Sequence, residues 1–569
     1  MYRQPFFLIS FKDIILFTGL LLFSMAIVSD TLPVQLTRHF PTKTHPSIPF
    51  NGPIQASAVL DITSKNPQII VPVAAGTISF LDAETGAELG QVELPRTSEL
   101  RVLIMSTPVQ VEGNLIVLYQ MLGKKGRESH RVAVIDIPLR KLNADFPILE
   151  LTAEIPQVDG KAMVKFDAPY AFSHSEVKHA RKPGSELGFI YAAFGNAADA
   201  QPFHGWLFEI DLDAWKQQGS ANAIKNTLVT TPESKCEVTY KYATQELVCA
   251  GGIWTPAGPQ VYYQGDDYEL LVPTGNGQID LVRHDYANTL MRVKPGLDFN
   301  PGCDDKLCEN FNPLNPALAC MESCKNLFIP RLKPGDKPLK PVTGECDNMN
   351  HLECLARMDY DLGANAPVKI DLSNQQSVVV QAGKEGAAYL LDANHLGTMY
   401  DRFQLIETCG TEADPCKLSW RGMMVTHPAV SIVDETPVVI FPTFVSDETH
   451  AAGLIALKIV QKHGKPQFER FWQFPNPKHK AATTTFRSAP TLPVITTLEK
   501  HGEVIWVIEI GSPGTLYGVR IKDGQLIAQK TLLGTGVPLS RPVTLGNKIY
   551  ITSKKSRGKE TWVESYKIE

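Results

Sequence analysis

The chain has 569 residues, is 43% hydrophobic and 20% charged, and balances 55 Lys and Arg against 60 Asp and Glu for a net charge of −5. So much apolar material at so little net charge excludes a disordered chain and supports a large core. No basic footprint is present, which argues against a nucleic-acid partner.

At the N-terminus, Arg3 and Lys12 precede the apolar run "IILFTGLLLFSMAIV", followed by Ser29, Asp30 and a polar stretch. The run is short for a spanning helix, which needs about 20 apolar residues, and suits a secretory leader or an uncleaved N-terminal anchor. Residues 1–29 are therefore expected to direct export to the periplasm or cell envelope. Membrane contact is then expected only through this segment, if it stays uncleaved. Residues 30–53 read as a linker.

From Ile69 onward one pattern recurs: an apolar strand, a turn holding Gly or Asp, a second apolar strand, then polar residues. "IIVPVAAGTISFLDAETGAELGQVEL" shows it most plainly. Further copies begin near Leu115, Gly188, Leu270, Val378, Val438, Val504 and Ile549. No long helical period separates them, so the chain reads as all-β. Eight short antiparallel sheets in series, each built on a strand buried on both faces, suit radial packing. The expected fold is an eight-bladed β-propeller of four-stranded antiparallel blades over residues 54–569, with an open solenoid as the alternative. The segment "NGPIQASAVLDI", residues 51–62, is expected to supply the strand that closes the ring.

Ten cysteines, an even number, agree with an oxidising compartment. Six lie between Cys303 and Cys354, in a stretch rich in Pro and Asn. Residues 300–356 therefore read as a disulfide-rich loop insertion between blades. Zinc is the rival reading, because C-x4-C and C-x3-C approach metal-ligand spacing. Cys236 with Cys249 and Cys409 with Cys416 form two short-range pairs outside the cluster. Without a Cys-x-x-Cys-His, covalent haem is not expected.

Against this frame several segments resemble one family, the quinoprotein alcohol dehydrogenase-like propellers, whose members bind pyrroloquinoline quinone (PQQ) or have kept the fold and lost the cofactor. "FLDAETGAELG" resembles their blade-locking repeat A-x-D-x-x-T-G-x-x-x-W, with Gly90 in place of the docking Trp. "FHGWLFEIDL", "GGIWTPAGPQV", "VPTGNG", "DYDLGANAPV" and "VVQAGKEGAAYLLDA" look like successive segments of a divergent branch.

The resemblance implies a PQQ-dependent oxidation of an alcohol or other hydroxyl compound, with calcium polarising the quinone carbonyl and electrons leaving to an external acceptor. It nominates Trp254 as the indole beneath the cofactor, Asn276 as a calcium ligand, and Asp361 as the catalytic base and a metal ligand. Lys384 is nominated as the cation at the quinone oxygens. Asp359 neighbours the base, and Glu176 and Glu186 are candidates by position for an acidic calcium ligand.

Each residue also has a plainer reading. Lys384 suits a solvated hairpin tip, Asp359 and Asp361 suit turn caps, Asn276 suits a left-handed turn, and Trp254 suits a core indole. His204 and His427 read as hydrogen-bonded structural residues. No motif for a hydrolase, zincin, nucleotide triphosphatase or nicotinamide enzyme occurs.

The competing expectation is a non-catalytic envelope propeller that binds protein partners. Only an enzyme needs Trp254, Asn276, Asp361 and Lys384 in one axial pocket.

Overall fold

A computed structural model describes residues 32–46, 49–196, 203–234, 250–336, 346, 349–406, 427–443, 452–476, 490–555 and 560–569, save positions 125, 159, 278, 313–314 and 374. The apolar N-terminal run and Cys236, Cys249, Cys409 and Cys416 lie outside these residues. No helix among the described residues is long and apolar enough to cross a membrane.

The chain is an eight-bladed propeller of four-stranded antiparallel blades. Blade 1 runs Val59–Asp61, Gln68–Val73, Thr77–Asp82 and Glu88–Glu93 in spatial as in chain order, and blades 3, 5, 6 and 7 repeat that meander. The second strand of each blade is where the apolar run lies. In Gln68–Val73 all residues are buried, whereas Glu88–Glu93 at the blade's other edge buries only Val92. A sheet packed on both faces needs such a continuous run in its middle strands and tolerates charge only at its rim.

The cores lie between blades. Ile70, Ile78 and Phe80 of blade 1 pack on Val117 and Tyr119 of blade 2. Trp506 and Ile508 of blade 7 pack on Ile549 and Tyr566 of blade 8. Val71 of blade 1 packs on Tyr550 and Val563 of blade 8, which closes the circle.

The closing strand is Leu36–Phe40, paired with Glu560–Ile568 from Leu36 opposite Ile568 to Phe40 opposite Ser565. This corrects the sequence expectation twice. Residues 36–40, expected in a linker, form blade 8's outer strand, and residues 51–62 contribute only Asn51, paired with Glu560, before Val59–Asp61 opens blade 1. "LTRHF" was illegible as a strand because an outer strand buries few side chains, here Leu36 and Phe40.

Glycines in the turns between third and fourth strands receive an aromatic from the preceding blade. A Cβ on Gly86 would meet the Phe40 ring at 2.8 Å, and one on Gly524 would meet the Trp472 indole at 2.7 Å. Trp472 also donates its Nε1–H to the Ile521 carbonyl at 2.7 Å. At Gly90, where the blade-locking repeat calls for Trp, the Arg140 side chain of blade 2 fills the space, and its guanidinium lies over the Phe80 ring.

The cysteine-rich insertion is not confined between blades. Leu327–Phe328, too short to read from sequence, is blade 4's fourth strand and divides it. The first part, tied by Cys303–Cys324 and Cys308–Cys320, sits inside blade 4, and the second, tied by Cys346–Cys354, leads to blade 5. These disulfides leave the six sulfurs no thiolate to offer zinc.

Asp285, in a small hairpin of blade 4, is fully buried. Burial pushes its carboxyl up to about 7, although it accepts the Glu233 N–H at 2.9 Å. Because the folded value lies above the unfolded one, the folded chain holds the extra proton between them. Stability is therefore expected to fall as pH rises from about 4 to about 7, by on the order of 4 kcal/mol. Urea unfolding of Asp285→Asn across that range should lack this slope, and an unchanged slope would refute the assignment.

Candidate functional site

In an antiparallel meander the segment entering the first strand and the turn between the second and third strands lie on the same face. Trp254 and Asp361 stand in the segments entering blades 4 and 5, and Asn276 and Lys384 in the second-to-third turns of those blades. Each nominated side chain thus comes to one face, at the inner ends of two adjacent blades.

The Thr274–Gly277 segment leaves the strand Asp267–Pro273 and is gripped by its neighbours. The Gly275 N–H donates to the Gly252 carbonyl at 2.8 Å, and the Gly251 N–H to the Asn276 carbonyl at 2.6 Å. Glycine is required at 275 by close approach, since a Cβ would lie 3.0 Å from Asp361 Oδ1 and 3.1 Å from Trp254 Nε1. The Asn276 N–H donates to Asp361 Oδ1 at 2.5 Å, and Asn276 Nδ2 to Asp359 Oδ1 at 3.0 Å.

Both acids are delivered by the insertion. The helix His351–Arg357 starts at an Asn350/Glu353 capping box, and the chain turns at Asp359, whose φ of 56° is left-handed. Downstream, the Leu362 N–H donates to Asn288 Oδ1 at 2.7 Å and the Gly363 N–H to the Thr274 carbonyl at 2.9 Å. These bonds lock the Asp361 segment to the Asn276 turn.

Lys384 is not solvated, being 3% exposed. Its Nζ donates to Asp361 Oδ2 at 2.6 Å and Asp359 Oδ2 at 3.0 Å, and lies 5.0 Å from the centre of the Trp254 ring. Burial alone would lower the ammonium's pKa, yet Asp361 and Asp359 raise it above its ordinary value, so it is a fixed cation.

Trp254 itself is half-buried and lies outside the blade cores. His174 lies near-parallel to it, with ring centres 6.0 Å apart and planes 15° apart. The five residues therefore form one cluster: a half-exposed indole, an ammonium, two carboxylates and an amide.

Sequence reasoning missed three contributors. Glu385 anchors the other side of the Lys384 turn, bonded to Arg402 at 2.9 Å and to Tyr389, with His351 of the insertion helix at 3.5 Å. His174 faces the indole and Asn288 holds Leu362. The one available signal was the second charge in "GKEG", since a purely solvated turn does not need a pair of opposite sign.

Of the acids nominated by position, Glu176 is tied to Lys178 at 2.8 Å and to Arg541, while Glu186 is exposed and 4.0 Å from Lys216. His204 bonds Thr231 Oγ1 at 3.1 Å, and burial lowers its pKa to about 4. Burial, then Arg541 and Lys178, lower His427 to about 3.

No protein-family model and no curated protein matches the chain. Among solved structures it is similar to the quinohemoprotein alcohol dehydrogenase ADHIIG of Pseudomonas putida HK5, with a TM-score of 0.50 and 11% identity over 92% of this chain and 75% of that one. Another is the quinohemoprotein alcohol dehydrogenase of Comamonas testosteroni, with a TM-score of 0.47 and 10% identity over 94% and 76%. BamB from Moraxella catarrhalis gives 0.41 and 11% over 94% and 100%. At such identities the likeness is one of fold, and the fold is the eight-bladed propeller.

Proposed function

We propose that the protein is a PQQ-dependent dehydrogenase-like oxidoreductase that oxidises an alcohol or other hydroxyl compound at this axial cluster. One observation carries the reading: Trp254, Asn276, Asp361 and Lys384, with Asp359, meet in one buried cluster. When bound, the quinone supplies a two-electron acceptor for a hydride from the alcohol carbon.

The chain's own residues do the rest. Trp254 offers a flat apolar face to an aromatic ring. Lys384 places a fixed positive charge where negative charge would develop on an oxygen above that face. Asp361, held by Asn276 N–H and Lys384, takes the hydroxyl proton at Oδ2.

Asn276 Oδ1 is buried without a hydrogen-bond partner. With the Asp361 carboxylate and its neighbour Asp359 it makes the hard-oxygen set that Ca2+ prefers, so Asn276 and Asp361 would hold the ion. Export through the N-terminal segment would put the protein in the periplasm or envelope, where an external acceptor removes the electrons.

Titration with PQQ, with and without calcium, followed by quinone absorbance and tryptophan fluorescence, tests the reading. Saturable, calcium-dependent binding is expected. No binding at tens of micromolar, or about −6 kcal/mol, would overturn it and leave a protein-binding scaffold.

A further inference from the structure

The inner rim of the propeller can be followed from blade to blade through the segments that enter them. The Arg541 N–H, just ahead of Val543–Leu545 in blade 8, donates to Ser57 Oγ before blade 1 at 3.0 Å, and the Ser57 N–H to Thr107 Oγ1, just ahead of Val109–Val111 in blade 2, at 3.0 Å. The Val177 N–H before blade 3 donates to the Thr107 carbonyl at 3.0 Å, and the Glu176 N–H to the Pro256 carbonyl before blade 4 at 3.0 Å. Arg541 and Glu176 therefore belong to blades 8 and 3, separated along the ring by blades 1 and 2. Their ion pair is a chord across the axial mouth.

Lys178 Nζ reaches the same oxygen, Glu176 Oε2, that Arg541 Nη2 does. Two cations thus share one carboxylate, an excess of one positive charge. Burial alone would raise the Glu176 pKa, but Lys178 and Arg541 pull it below the ordinary value. Arg541 keeps a side-chain exposure of 32% and uses one of its guanidinium nitrogens on Glu176. A guanidinium carries five N–H donors in a fork shaped to a carboxylate, so most of its capacity faces the mouth.

The pair also stands beside the indole. Glu176 follows His174, which faces Trp254, by two residues, and bonds the carbonyl of Pro256, two residues after Trp254. Two residues of extended chain span about 7 Å. One half-exposed aromatic face is thus flanked by the Lys384 ammonium and by a second, separate cationic pair. An apolar flat guest needs neither, and a ligand with one acid group needs only one.

We propose that Lys178 and Arg541 are the carboxylate-recognising pair of this mouth, selecting a planar aromatic ligand that carries acid groups away from the edge facing Lys384. The inference rests on the quinone reading and adds how its acid groups are held. Glu176 is then the internal partner that keeps the pair aligned before the ligand arrives.

The test compares binding of PQQ and of its trimethyl ester to the parent protein, Arg541→Ala and Arg541→Lys, by tryptophan fluorescence in calcium buffer. The parent should bind the acid about ten- to a hundredfold more tightly than the ester, the range for a charge-assisted hydrogen bond. Arg541→Ala should lose most of that preference through weaker binding of the acid with ester binding unchanged, and Arg541→Lys, which keeps the charge and loses the fork, should retain only part of it. If Arg541→Ala lacks a cooperative unfolding transition, Lys178→Met is read in its place with the same expectation. Parent binding with an unchanged acid-to-ester ratio in the variants overturns this inference alone. No binding of either compound by the parent overturns the quinone reading together with it.

Discussion

Lys384→Met should lower the unfolding free energy by about 3–5 kcal/mol, the cost of leaving a buried charge without its partner. The parent Lys384 lies against two carboxylates whose side chains are 6% and 8% exposed, so removal of the ammonium leaves two buried like charges. Each then raises the other's pKa. A folded-state pKa above the unfolded carboxyl value, about 3.9, means stability lost as pH rises, so the deficit should be larger near about pH 8 than near about pH 5. The parent's own Lys384 contribution is lost in the same direction but in a separate, alkaline window. Its folded pKa is raised, so its contribution is complete below the unfolded lysine value and disappears only in alkali. Urea unfolding at the two pH values measures the carboxylate effect. A solvated turn lysine would change stability by less than about 0.5 kcal/mol, and that result would refute the burial on which the site depends. Adding Asp359→Asn should recover part of the loss, because it removes one of the opposed charges.

Asp361→Asn, assayed at saturating quinone and calcium because it also weakens the calcium ligand set, should lose about a hundredfold to ten-thousandfold in turnover of an alcohol, the span attributed to general-base catalysis. That is about 3–5 kcal/mol of barrier. Asparagine keeps the side-chain volume and an oxygen for the Asn276 N–H that Asp361 Oδ1 now accepts, while Lys384, which loses its bond to Oδ2, keeps Asp359 as its carboxylate partner. What the variant loses is a group able to take a proton at neutral pH. A fall in kcat that persists at saturating quinone and calcium would place Asp361 at the proton. Turnover equal to the parent's would remove it from that role, and a variant that no longer binds quinone would make it a positioning residue.

The architecture was legible to an unusual degree because its signal is local. A blade's second strand is buried on both faces, so each of the eight repeats carries its own apolar run, and each such run is in place from Gln68–Val73 to Lys548–Lys554. The fold's closure was less legible. Leu36–Phe40 buries little and pairs with a strand more than five hundred residues away, Leu36 opposite Ile568. Nothing in five residues announces such a partner. Likewise Leu327–Phe328 is a strand only because Leu290–Val293 lies beside it.

By itself, then, the sequence determined the blade count, the all-β class and the order in which Trp254, Asn276, Asp361 and Lys384 occur. Periodicity and turn chemistry belong to short windows of chain. The tertiary structure alone decided that Lys384 is buried rather than solvated, that Glu385 and the insertion helix buttress it, and that Arg541 of blade 8 meets Glu176 of blade 3. The physical reason is that burial and charge pairing depend on which distant segments share a place, and a ring closed by its first strand sets that only when every blade has packed.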